Sequence, residues 1–384
     1  MEKDEGYLQL IDGVKYAEQT GSFNIINLVN KSKNVCVFGL GRYFREAFIQ
    51  QNVKEKYSVN LLCDNNKEKV DEVIKEYGFK DIQGISVLDL AKIPDVVVIV
   101  MVGDSRNIIT QLHSLGIKNV FNYAEVSLSN IFDMPKSLEW FKLSENKIFE
   151  TYKLLEEKSK KIYSDLLCNR FNWNVSKHSY EKLTTNGEYF TTDVFKLNEN
   201  ESFIDCGAYN GDTIESFLKA TNSEFNAIYG FEMDEKNYCD LVQKVNNLES
   251  EISSKINCYN CGVFNENKEI TYGCGTENDP SEGISIYKTD NCKKAKVIKL
   301  DDMFEDTNIT LIKMDIEGSE LKALQGAKNI IKKNKPKLAI CIYHKISDFW
   351  EIPIYLKELV PEYKIEVRHH NIYDFTGTVC YAYV

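Results

Sequence analysis

Between residues 34 and 123, short apolar runs alternate with longer segments whose apolar positions recur at helical spacing. This alternation predicts a small parallel sheet with helices on its faces. The predicted strands are 35–38, 59–63, 96–102 and 119–121, and the predicted helices are 42–51, 67–77 and 106–115.

A second region of this kind begins near Ser202. Its first strand ends at Asp205 and is followed by a turn with Gly207 and Gly211, and the next apolar run ends in Glu232. Ligands of open α/β sheets bind at the carboxyl ends of the strands. Two glycines let the backbone approach a ligand closely, and a carboxylate about 20–30 residues later can hold a ribose diol. The pattern therefore predicts a nucleoside site.

The turn after Asp205 separates two classes of ligand. A dinucleotide-binding turn has the spacing G-x-G-x-x-G, because the pyrophosphate sits on the helix N-terminus. Here the spacing is Asp205-x-Gly207-x-x-x-Gly211, and a second acid, Asp212, begins the predicted helix. Negative charge at this place repels pyrophosphate but suits a ligand with an ammonium and a sulfonium. The acidic turn therefore favours S-adenosylmethionine.

The end of the chain supports the same choice. Two β-rich runs, 363–368 and 378–384, are separated by a loop without helical periodicity, so they should pair antiparallel. A parallel sheet finished by an antiparallel hairpin is typical of Rossmann-like methyltransferases and not of dinucleotide domains. The predicted fold class is α/β, with two Rossmann-like domains, the C-terminal one a class I methyltransferase sheet ending in an antiparallel hairpin.

Composition narrows the partners and the compartment. The net charge of −11 argues against nucleic acid as the main partner. The charged start of the chain is unlike a secretory signal, and the longest apolar stretch, 96–102, is too short to span a bilayer. The eleven cysteines are scattered singly, as thiols in a reducing compartment would be. We expect a cytoplasmic protein with a small-molecule or glycan substrate, no nucleic acid and no membrane span; homo-oligomerisation is left open.

Shifts in pattern along the chain predict the domain organisation. Segment 137–170 has long helical periodicity, and 172–195 is polar and Tyr-rich and could lie over the mouth of the second domain. The predicted divisions are 1–30 as an N-terminal helical segment, 31–130 as a small Rossmann-like domain, 131–196 as a helical connector with an irregular cover segment, and 197–384 as a methyltransferase domain.

Motifs spread in order over 197–384 resemble one known family. They are Phe203-Ile-Asp-Cys-Gly-Ala-Tyr-Asn-Gly-Asp-Thr213, Gly230-Phe-Glu-Met-Asp234, Val297-Ile-Lys-Leu-Asp-Asp302, Leu311-Ile-Lys-Met-Asp-Ile-Glu-Gly-Ser-Glu320, Ile342-Tyr-His-Lys345, Asp348-Phe-Trp-Glu-Ile-Pro353 and Arg368-His-His370. Together they resemble the FkbM-type S-adenosylmethionine-dependent methyltransferases. The resemblance implies S-adenosylmethionine as cofactor and O-methylation of a hydroxyl on a sugar or glycosylated metabolite, in polysaccharide or glycan biosynthesis.

Within that resemblance, Glu232 is expected to hold the ribose, and the backbone near Cys261 and Gly262 to flank the adenine. Asp205 would fix the glycine turn or meet the cofactor amine. Asn210 departs from the family branch, where an acid is expected, and this should slightly weaken binding of the amino-acid part of the cofactor. The predicted cofactor-binding residues are Asp205, Gly207, Ala208, Asn210, Gly211, Glu232, Cys261, Gly262 and Asp315.

Methyl transfer to a hydroxyl needs a base beside the acceptor oxygen. His344 and Asp315 follow two predicted neighbouring strands, so both should face one cavity. A histidine titrates near neutrality, which makes His344 the first candidate for the base, with Asp315 shaping the site or touching the methionine amine. Glu317 and His370 are predicted to contact the substrate. No metal is predicted, although Asp315 and Glu317 could hold a divalent ion.

The first domain has a weaker candidate site. Gly39, Gly41 and Arg42 form a glycine-rich turn, and Asp64 ends the next predicted strand, which resembles the nucleotide-binding domains that precede some sugar-modifying enzymes. Phe44 occupies the third glycine position, which argues against dinucleotide packing of the usual kind. A domain that only packs and binds nothing is an equal alternative.

Other interpretations remain open at this stage. Cys258-x-x-Cys261, with Cys274 and Cys292 downstream, would suit zinc, but the first pair falls within a strand-like run that points its side chains to opposite faces. An NAD(P)-dependent oxidoreductase or a nucleotide-sugar-binding module could use the first domain. Both domains could also be binding modules that have lost catalysis.

Overall fold

The protein is described by a computed structural model. It describes residues 8, 10, 25–50, 52–102, 105–123, 126, 138–170, 180–190, 193–273 and 292–384. The chain divides into two compact units, the first comprising Met1–Lys142, Leu166–Lys182 and Ile372–Phe375, and the second Leu143–Asp165, Leu183–Asn371 and Thr376–Val384. The domain boundaries given above stay a prediction.

Unit 1 contains a five-stranded parallel sheet in the order β3-β2-β1-β4-β5. The strands are β1 Val35–Phe38, β2 Leu61–Cys63, β3 Gln83–Ile85, β4 Val97–Val100 and β5 Asn119–Asn122. The predicted parallel sheet is confirmed, but β3 was missed. This edge strand is short, and its exposed Gln83 and half-buried Gly84 give it no apolar pattern.

The continuous apolar runs of unit 1 reflect burial on both faces of the sheet. In β1, Val35 and Val37 enter one core cluster, whereas Cys36 and Phe38 enter another. Strands covered on both faces lose the alternation of apolar and polar residues. Helices of this unit pack on the two faces of the sheet. They are α1 Ile25–Lys31, α2 Arg42–Gln50, α3 Val53–Lys56, α4 Lys67–Tyr77, α5 Val87–Leu90 and α6 Arg106–Ser114.

Two longer helices, α7 Leu138–Leu154 and α8 Glu157–Arg170, confirm the helical periodicity predicted for 137–170. A short helix, α9 Tyr180–Leu183, follows. Within the described ranges, no helix is long and apolar enough to cross a membrane.

Unit 2 contains a mixed seven-stranded sheet in the order β14-β15-β13-β12-β6-β7-β8. Its strands are β6 Ser202–Cys206, β7 Ala227–Phe231, β8 Ile256–Tyr259, β12 Leu311–Met314, β13 Lys337–Cys341, β14 Lys364–His369 and β15 Thr378–Tyr383. All pairings are parallel except those of β15, which runs antiparallel to both β13 and β14. The predicted methyltransferase sheet with a terminal antiparallel hairpin is confirmed.

The three strands that follow β8 along the chain form a smaller, separate sheet. It is formed by β9 Gly262–Val263, β10 Lys268–Gly273 and β11 Cys292–Ile298, in the order β10-β11-β9. The remaining helices of unit 2 are α10 Asp212–Ala220, α11 Glu235–Asn246, α12 Ser250–Ser253, α13 Leu300–Met303, α14 Glu320–Gly326, α15 Lys328–Asn334 and α16 Asp348–Leu359.

The order of the large sheet sets the position of the candidate site. Strands β6 and β12 are its central neighbours, with β7 and β13 on either side. Their carboxyl ends carry Asp205, Glu232, Asp315 and His344. Parallel pairing aligns these ends along one edge, where such sheets bind ligands.

Candidate active site

The turn after β6 needs glycine at position 207. Gly207 has a positive φ of +80°, and a Cβ placed on it would lie 2.0 Å from the backbone oxygen of Asp315. The N–H groups of Gly207 and Ala208 both donate to the carbonyl of Phe231, at 3.0 and 2.9 Å. The turn is therefore held against β7 and β12, with no room for a side chain on the β12 side.

A buried ion pair between β6 and β12 stabilises this turn. Lys313 Nζ lies 3.1 Å from Asp205 Oδ1 and donates to the carbonyl oxygen of Gly207 at 2.8 Å. Burial raises the pKa of Asp205 to about 6, and Lys313 opposes this shift. Burial by itself lowers the pKa of Lys313, but Asp205 and Asp315 raise it above its ordinary value. Of the two predicted roles of Asp205, the geometry favours fixing the turn, because its side chain is fully buried.

Glu232 is oriented by the backbone on both sides. Oε2 accepts from Tyr209 N at 2.9 Å, and Oε1 accepts from Asp234 N at 2.7 Å. Burial raises the pKa of Glu232 to about 7, although these two hydrogen bonds act in the opposite direction. Each oxygen keeps a lone pair after accepting one N–H. Glu232 can therefore accept two further hydrogen bonds, as a ribose diol would require.

Other predicted cofactor contacts surround the same edge. Gly262, beside Cys261, faces Met233, because a Cβ on Gly262 would lie 3.3 Å from the Met233 sulfur. Asn210 Oδ1 accepts from Lys244 Nζ at 3.4 Å. Gly211 is the N-cap of α10, with a left-handed φ of 85°. The structure thus brings these residues next to Glu232, while their contacts with a cofactor stay a prediction.

Asp315 lies between two tyrosines. Oδ1 accepts from Tyr343 OH at 2.8 Å, and Oδ2 accepts from Tyr189 OH at 3.2 Å. Burial alone would raise the pKa of Asp315, but His344, Lys313 and the Tyr343 hydroxyl hold it below its ordinary value. Asp315 is therefore a fixed anion, with 27% of its side chain still accessible.

His344 lies three residues beyond the end of β13 and is surrounded by carboxylates. Its Nδ1 is 2.9 Å from Glu320 Oε1, and its Nε2 is 3.5 Å from both Asp315 Oδ1 and Glu317 Oε2. Burial lowers the pKa of His344, but Glu320, Glu317 and Asp315 together raise it to about 10. The expectation that this histidine titrates near neutrality is therefore wrong in this arrangement, where it carries a proton at pH 7. Its role as catalytic base stays a prediction.

Glu317 is the more accessible acid beside His344. It has a positive φ of 54° and is followed by Gly318 with φ 88°, so the chain turns sharply after β12. Its side chain is 33% accessible, whereas those of His344 and Glu320 are 1% and 0% accessible. Glu317 therefore has the exposure that the predicted substrate contact requires.

The two C-terminal histidines are structural in their contacts. His369 is fully buried, and its Nδ1 contacts Thr378 Oγ1 at 3.0 Å. His370 Nδ1 contacts the Thr185 carbonyl and Nε2 contacts Tyr381 OH, both at 2.9 Å. Burial lowers the pKa of His370 to about 4. Neither histidine is exposed, and the substrate contact predicted for His370 stays a prediction, with both ring nitrogens engaged.

In unit 1, the acid after β2 is tied to the glycine turn. Asp64 Oδ2 accepts from Leu40 N at 2.8 Å and lies 3.1 Å from Lys69 Nζ. Gly39 has a φ of +95°, and a Cβ placed on it would lie 2.4 Å from a methyl carbon of Val102. The Arg42 side chain lies outside the described part, as does any contact of Cys274.

Two further observations limit phosphate binding in unit 1. Arg45, the second arginine after the glycine-rich turn, donates to both carboxylate oxygens of Glu76 and is therefore already engaged by an acid. Phe44, at the third glycine position, is fully buried and stacks on Phe48 with ring centroids 4.5 Å apart. The turn therefore departs from the dinucleotide pattern, as the sequence predicted.

Four residues of the site in unit 2 were not predicted: Lys313, Tyr189, Glu320 and Tyr343. Lys313 had a visible signal, because a lysine in the strand Leu-Ile-Lys-Met must find a buried partner. Glu320 lies within the quoted Asp-Ile-Glu-Gly-Ser-Glu motif, but nothing in the sequence alone placed it against His344. Tyr189 is separated from Asp315 by 126 positions, so only folding brings them together.

The comparison that decides the family concerns this same stretch of unit 2. Residues 205–375 match the family described as Methyltransferase FkbM domain. This part of the chain is an FkbM methyltransferase domain. The match begins at Asp205 and includes Glu232, Asp315 and His344. The expected family is therefore confirmed, and the methyltransferase domain carries the site described above.

A solved structure agrees with the fold. The crystal structure of methyltransferase FkbM from Methylobacillus flagellatus KT matches with a TM-score of 0.72 and 20% identity, over 99% of both chains. A putative rRNA methylase from Clostridium thermocellum covers 48% of this chain and 87% of its own, at 9% identity and a TM-score of 0.31. Aeropyrum pernix fibrillarin with natively bound S-adenosyl-L-methionine covers 49% and 70%, at 13% identity and 0.30. The last two scores are too low to support an inference, and no curated protein matches the chain.

Proposed function

We propose that the FkbM methyltransferase domain binds S-adenosylmethionine across the carboxyl ends of β6, β7 and β12. The observation that carries the proposal is the orientation of Glu232, whose two oxygens are fixed by Tyr209 N and Asp234 N and keep lone pairs for a ribose diol. The close approach of Gly207 to Asp315 provides the backbone cradle that a bulky nucleoside needs.

Charge supports this ligand over a dinucleotide. Asp315 and Glu317 face the same edge as Glu232, and Asp212 begins α10, where a pyrophosphate would have to sit. A positively charged sulfonium and ammonium are favoured by these acids, whereas a pyrophosphate is repelled. We place the adenine beside Cys261 and Gly262, next to Met233.

The chemistry that the donor supplies when bound is a methyl group on a sulfonium: the methyl carbon bonds to the acceptor oxygen while the sulfur keeps the electron pair of the broken bond. The domain must hold the acceptor hydroxyl about 3 Å from that carbon, in line with the breaking bond. Asp315 and its tyrosine partners orient the hydroxyl. Glu317 receives its proton, because it is the most accessible carboxylate of the cluster, while buried His344 orients Glu317 and Asp315.

We further propose that the acceptor is a hydroxyl of a sugar or glycosylated metabolite, in polysaccharide or glycan biosynthesis. Support comes from the FkbM motifs and from the polar groups at the site. The hydroxyls of Tyr189 and Tyr343 and the carboxylate of Asp315 offer the several hydrogen bonds that a polyhydroxylated acceptor needs. A cytoplasmic location is part of this proposal, supported by free cysteines such as buried Cys206 and exposed Cys239.

Calorimetric titration of the whole chain with S-adenosylhomocysteine and, separately, with NADH tests the cofactor. We expect one S-adenosylhomocysteine per chain with a micromolar Kd and no NADH binding. Binding of NADH alone would instead favour the oxidoreductase alternative in unit 1 and remove our proposal.

Labelled methyl donor with a panel of nucleotide-sugars and free glycans then tests the acceptor. With an acceptor in hand, Glu317→Gln and His344→Ala should both lose most of kcat and keep the Kd for S-adenosylhomocysteine. Unchanged turnover in Glu317→Gln would show that another group takes the proton.

A further inference from the structure

A compact group of ligand atoms lies beside the proposed acceptor position. Asp315, Glu320 and His344 each offer one oxygen or nitrogen atom, and these three atoms lie within 4.8 Å of one another. Ligand atoms about 2.1 Å from one ion lie about 3–4 Å apart, so only a small contraction would close the group around a cation. Among the residues that the structure describes, this is the group of His, Cys, Asp and Glu side chains with that geometry.

The backbone already fixes part of this group. Glu320 Oε1 accepts from Ile316 N at 2.9 Å and contacts His344 Nδ1, which anchors both side chains behind Asp315. The two tyrosine hydroxyls hold Asp315 in place. Because these side chains are fixed before any ion enters, little ordering would accompany binding.

A second observation, an unpartnered buried oxygen, points to a cation ligand. Glu320 is fully buried, and its Oε2 atom has no hydrogen-bond partner in the described part of the chain. The same is true of Oδ2 of Asp348, whose residue is 2% exposed. Buried carboxylate oxygens without partners are costly and rare in folded proteins. A cation within reach of Glu320 Oε2 would supply the absent partner.

The local excess of carboxyl groups also favours a cation. Three carboxyl groups, those of Asp315, Glu317 and Glu320, each have an oxygen within 3.5 Å of a ring nitrogen of His344. The nearby ammonium of Lys345 is turned to the Gly318 carbonyl. Buried carboxylates in proteins are usually paired with a base or bound to a metal ion, and here the acids outnumber the bases.

We propose that Asp315, Glu320 and His344 bind a divalent cation of the Mn²⁺ class. Two carboxylate oxygens and one imidazole nitrogen are ligands that this class of ion accepts. The imidazole binds the ion in its neutral form, so the ion displaces the proton that His344 carries in the metal-free chain. Occupation of the site does not require the methyl donor. Its use in catalysis does rest on the proposed function: the cation, next to accessible Glu317, would bind the acceptor oxygen and favour loss of its proton to that carboxylate.

Electron paramagnetic resonance of the whole chain with MnCl₂, after dialysis against a chelator and without donor, tests the site. We expect one bound Mn²⁺ per chain with a Kd in the micromolar range. Asp315→Asn and Glu320→Gln should each weaken this binding at least tenfold. Glu201→Gln is the matched control, because Glu201 is also fully buried but lies at the amino end of β6, paired with Lys337, and this variant should bind Mn²⁺ as the wild type does.

Absence of stoichiometric Mn²⁺ binding to the wild-type chain would overturn the proposal, as would wild-type affinity in both Asp315→Asn and Glu320→Gln. Asp315 is partly accessible, so its conservative variant should fold even if Glu320→Gln does not, and circular dichroism checks both. Titration of the metal-free chain with S-adenosylhomocysteine separates the two proposals. If Mn²⁺ binds but S-adenosylhomocysteine does not, the proposed cation site stands and the proposal that the domain binds S-adenosylmethionine fails.

Discussion

The two units contain glycine turns built on the same plan but supported differently. In each, a strand leads into a glycine of positive φ, and the acid after the next strand accepts a hydrogen bond from the turn: Leu40 N to Asp64 at 2.8 Å in unit 1, and Tyr209 N to Glu232 at 2.9 Å in unit 2. In each acid the second oxygen accepts the N–H of the residue two positions further on, Asn66 N at 3.0 Å for Asp64 and Asp234 N at 2.7 Å for Glu232, but Asp64 also pairs with Lys69. The plan is therefore shared, but only Glu232 is oriented without a neutralising cation in direct contact among the described residues.

This difference shows why a glycine turn and a following acid do not by themselves make a binding site. Asp64 stabilises its own turn and is neutralised by Lys69. In unit 2 the buried pair of Lys313 and Asp205 also holds the turn, and Glu232 accepts from the turn without a cation at its carboxylate among the described residues. In the proposed function, the remaining lone pairs of Glu232 bind the ribose.

The largest expected effect comes from removing the buried support. Lys313→Met should lower the free energy of unfolding by about 3–5 kcal/mol, because it leaves Asp205 buried and uncompensated. Lys69→Met, which removes the more exposed ion pair with Asp64 in unit 1, should change it by less than about 1 kcal/mol. Urea unfolding followed by circular dichroism measures both. If the double variant Asp205→Asn with Lys313→Met is no more stable than Lys313→Met, the unpaired charge is not the cause.

The next effect concerns the glycines. Gly207→Ala should lower the free energy of unfolding by about 2–4 kcal/mol and abolish binding of S-adenosylhomocysteine. The new Cβ would clash with the Asp315 backbone, and alanine would have to adopt a positive φ. Gly39→Ala should cost about 1–2 kcal/mol, because its Cβ meets a Val102 side chain that can shift. Unfolding and calorimetry on the two variants check this order, and equal losses would contradict it.

A smaller effect is expected on ligand affinity. Glu232→Ala should weaken binding of S-adenosylhomocysteine by about 1.5–3 kcal/mol, the contribution of a lost charged hydrogen bond. Asp64→Ala is its counterpart in unit 1 and should leave this Kd unchanged. Calorimetry on the matched pair decides the point, since an unaffected Kd in Glu232→Ala removes the ribose assignment.

The pH dependence of stability should have opposite signs at the two acids. The pKa of Glu232 is raised to about 7, so its contribution to stability is present below about pH 4.5 and is lost as the pH rises through 7. Asp64 has a lowered pKa, held there against burial by Leu40 N, Asn66 N and Lys69, so its contribution is present above its unfolded pKa and lost on acidification. As the pH rises from 5 to 8, the free energy of unfolding of ligand-free Glu232→Gln should increase by about 2 kcal/mol relative to that of the wild type.

Unfolding curves of wild type, Glu232→Gln and Asp64→Asn at several pH values measure this. Relative to wild type, Asp64→Asn should lose stability as the pH rises from 3 to 5 and change little above that. A parallel trend in the two variants would show that the acids are not in different environments.

Much of the fold followed from the sequence because local patterns record burial. Continuous apolar runs predicted the strands covered on both faces, such as β1 and β4, and β-rich runs without an intervening helical period predicted the hairpin of β14 and β15. Strand β3 was missed because an edge strand with exposed Gln83 buries too little apolar surface to leave a pattern. Where burial is slight, the sequence signal is slight.

By itself, the sequence determined the parallel sheet of unit 1, the sheet of unit 2 with its antiparallel hairpin, the acidic glycine turn and the family of the second unit, since each depends on neighbours along the chain. The tertiary structure decided the protonation and the hydrogen-bond partners of the side chains at the site. His344 is protonated because Glu320, Glu317 and Asp315 converge on it, and Asp205 supports the turn because Lys313 reaches it from the next strand. Charge and hydrogen bonding act through space over a few ångströms, and the residues that meet at those distances are brought together only when the strands pair.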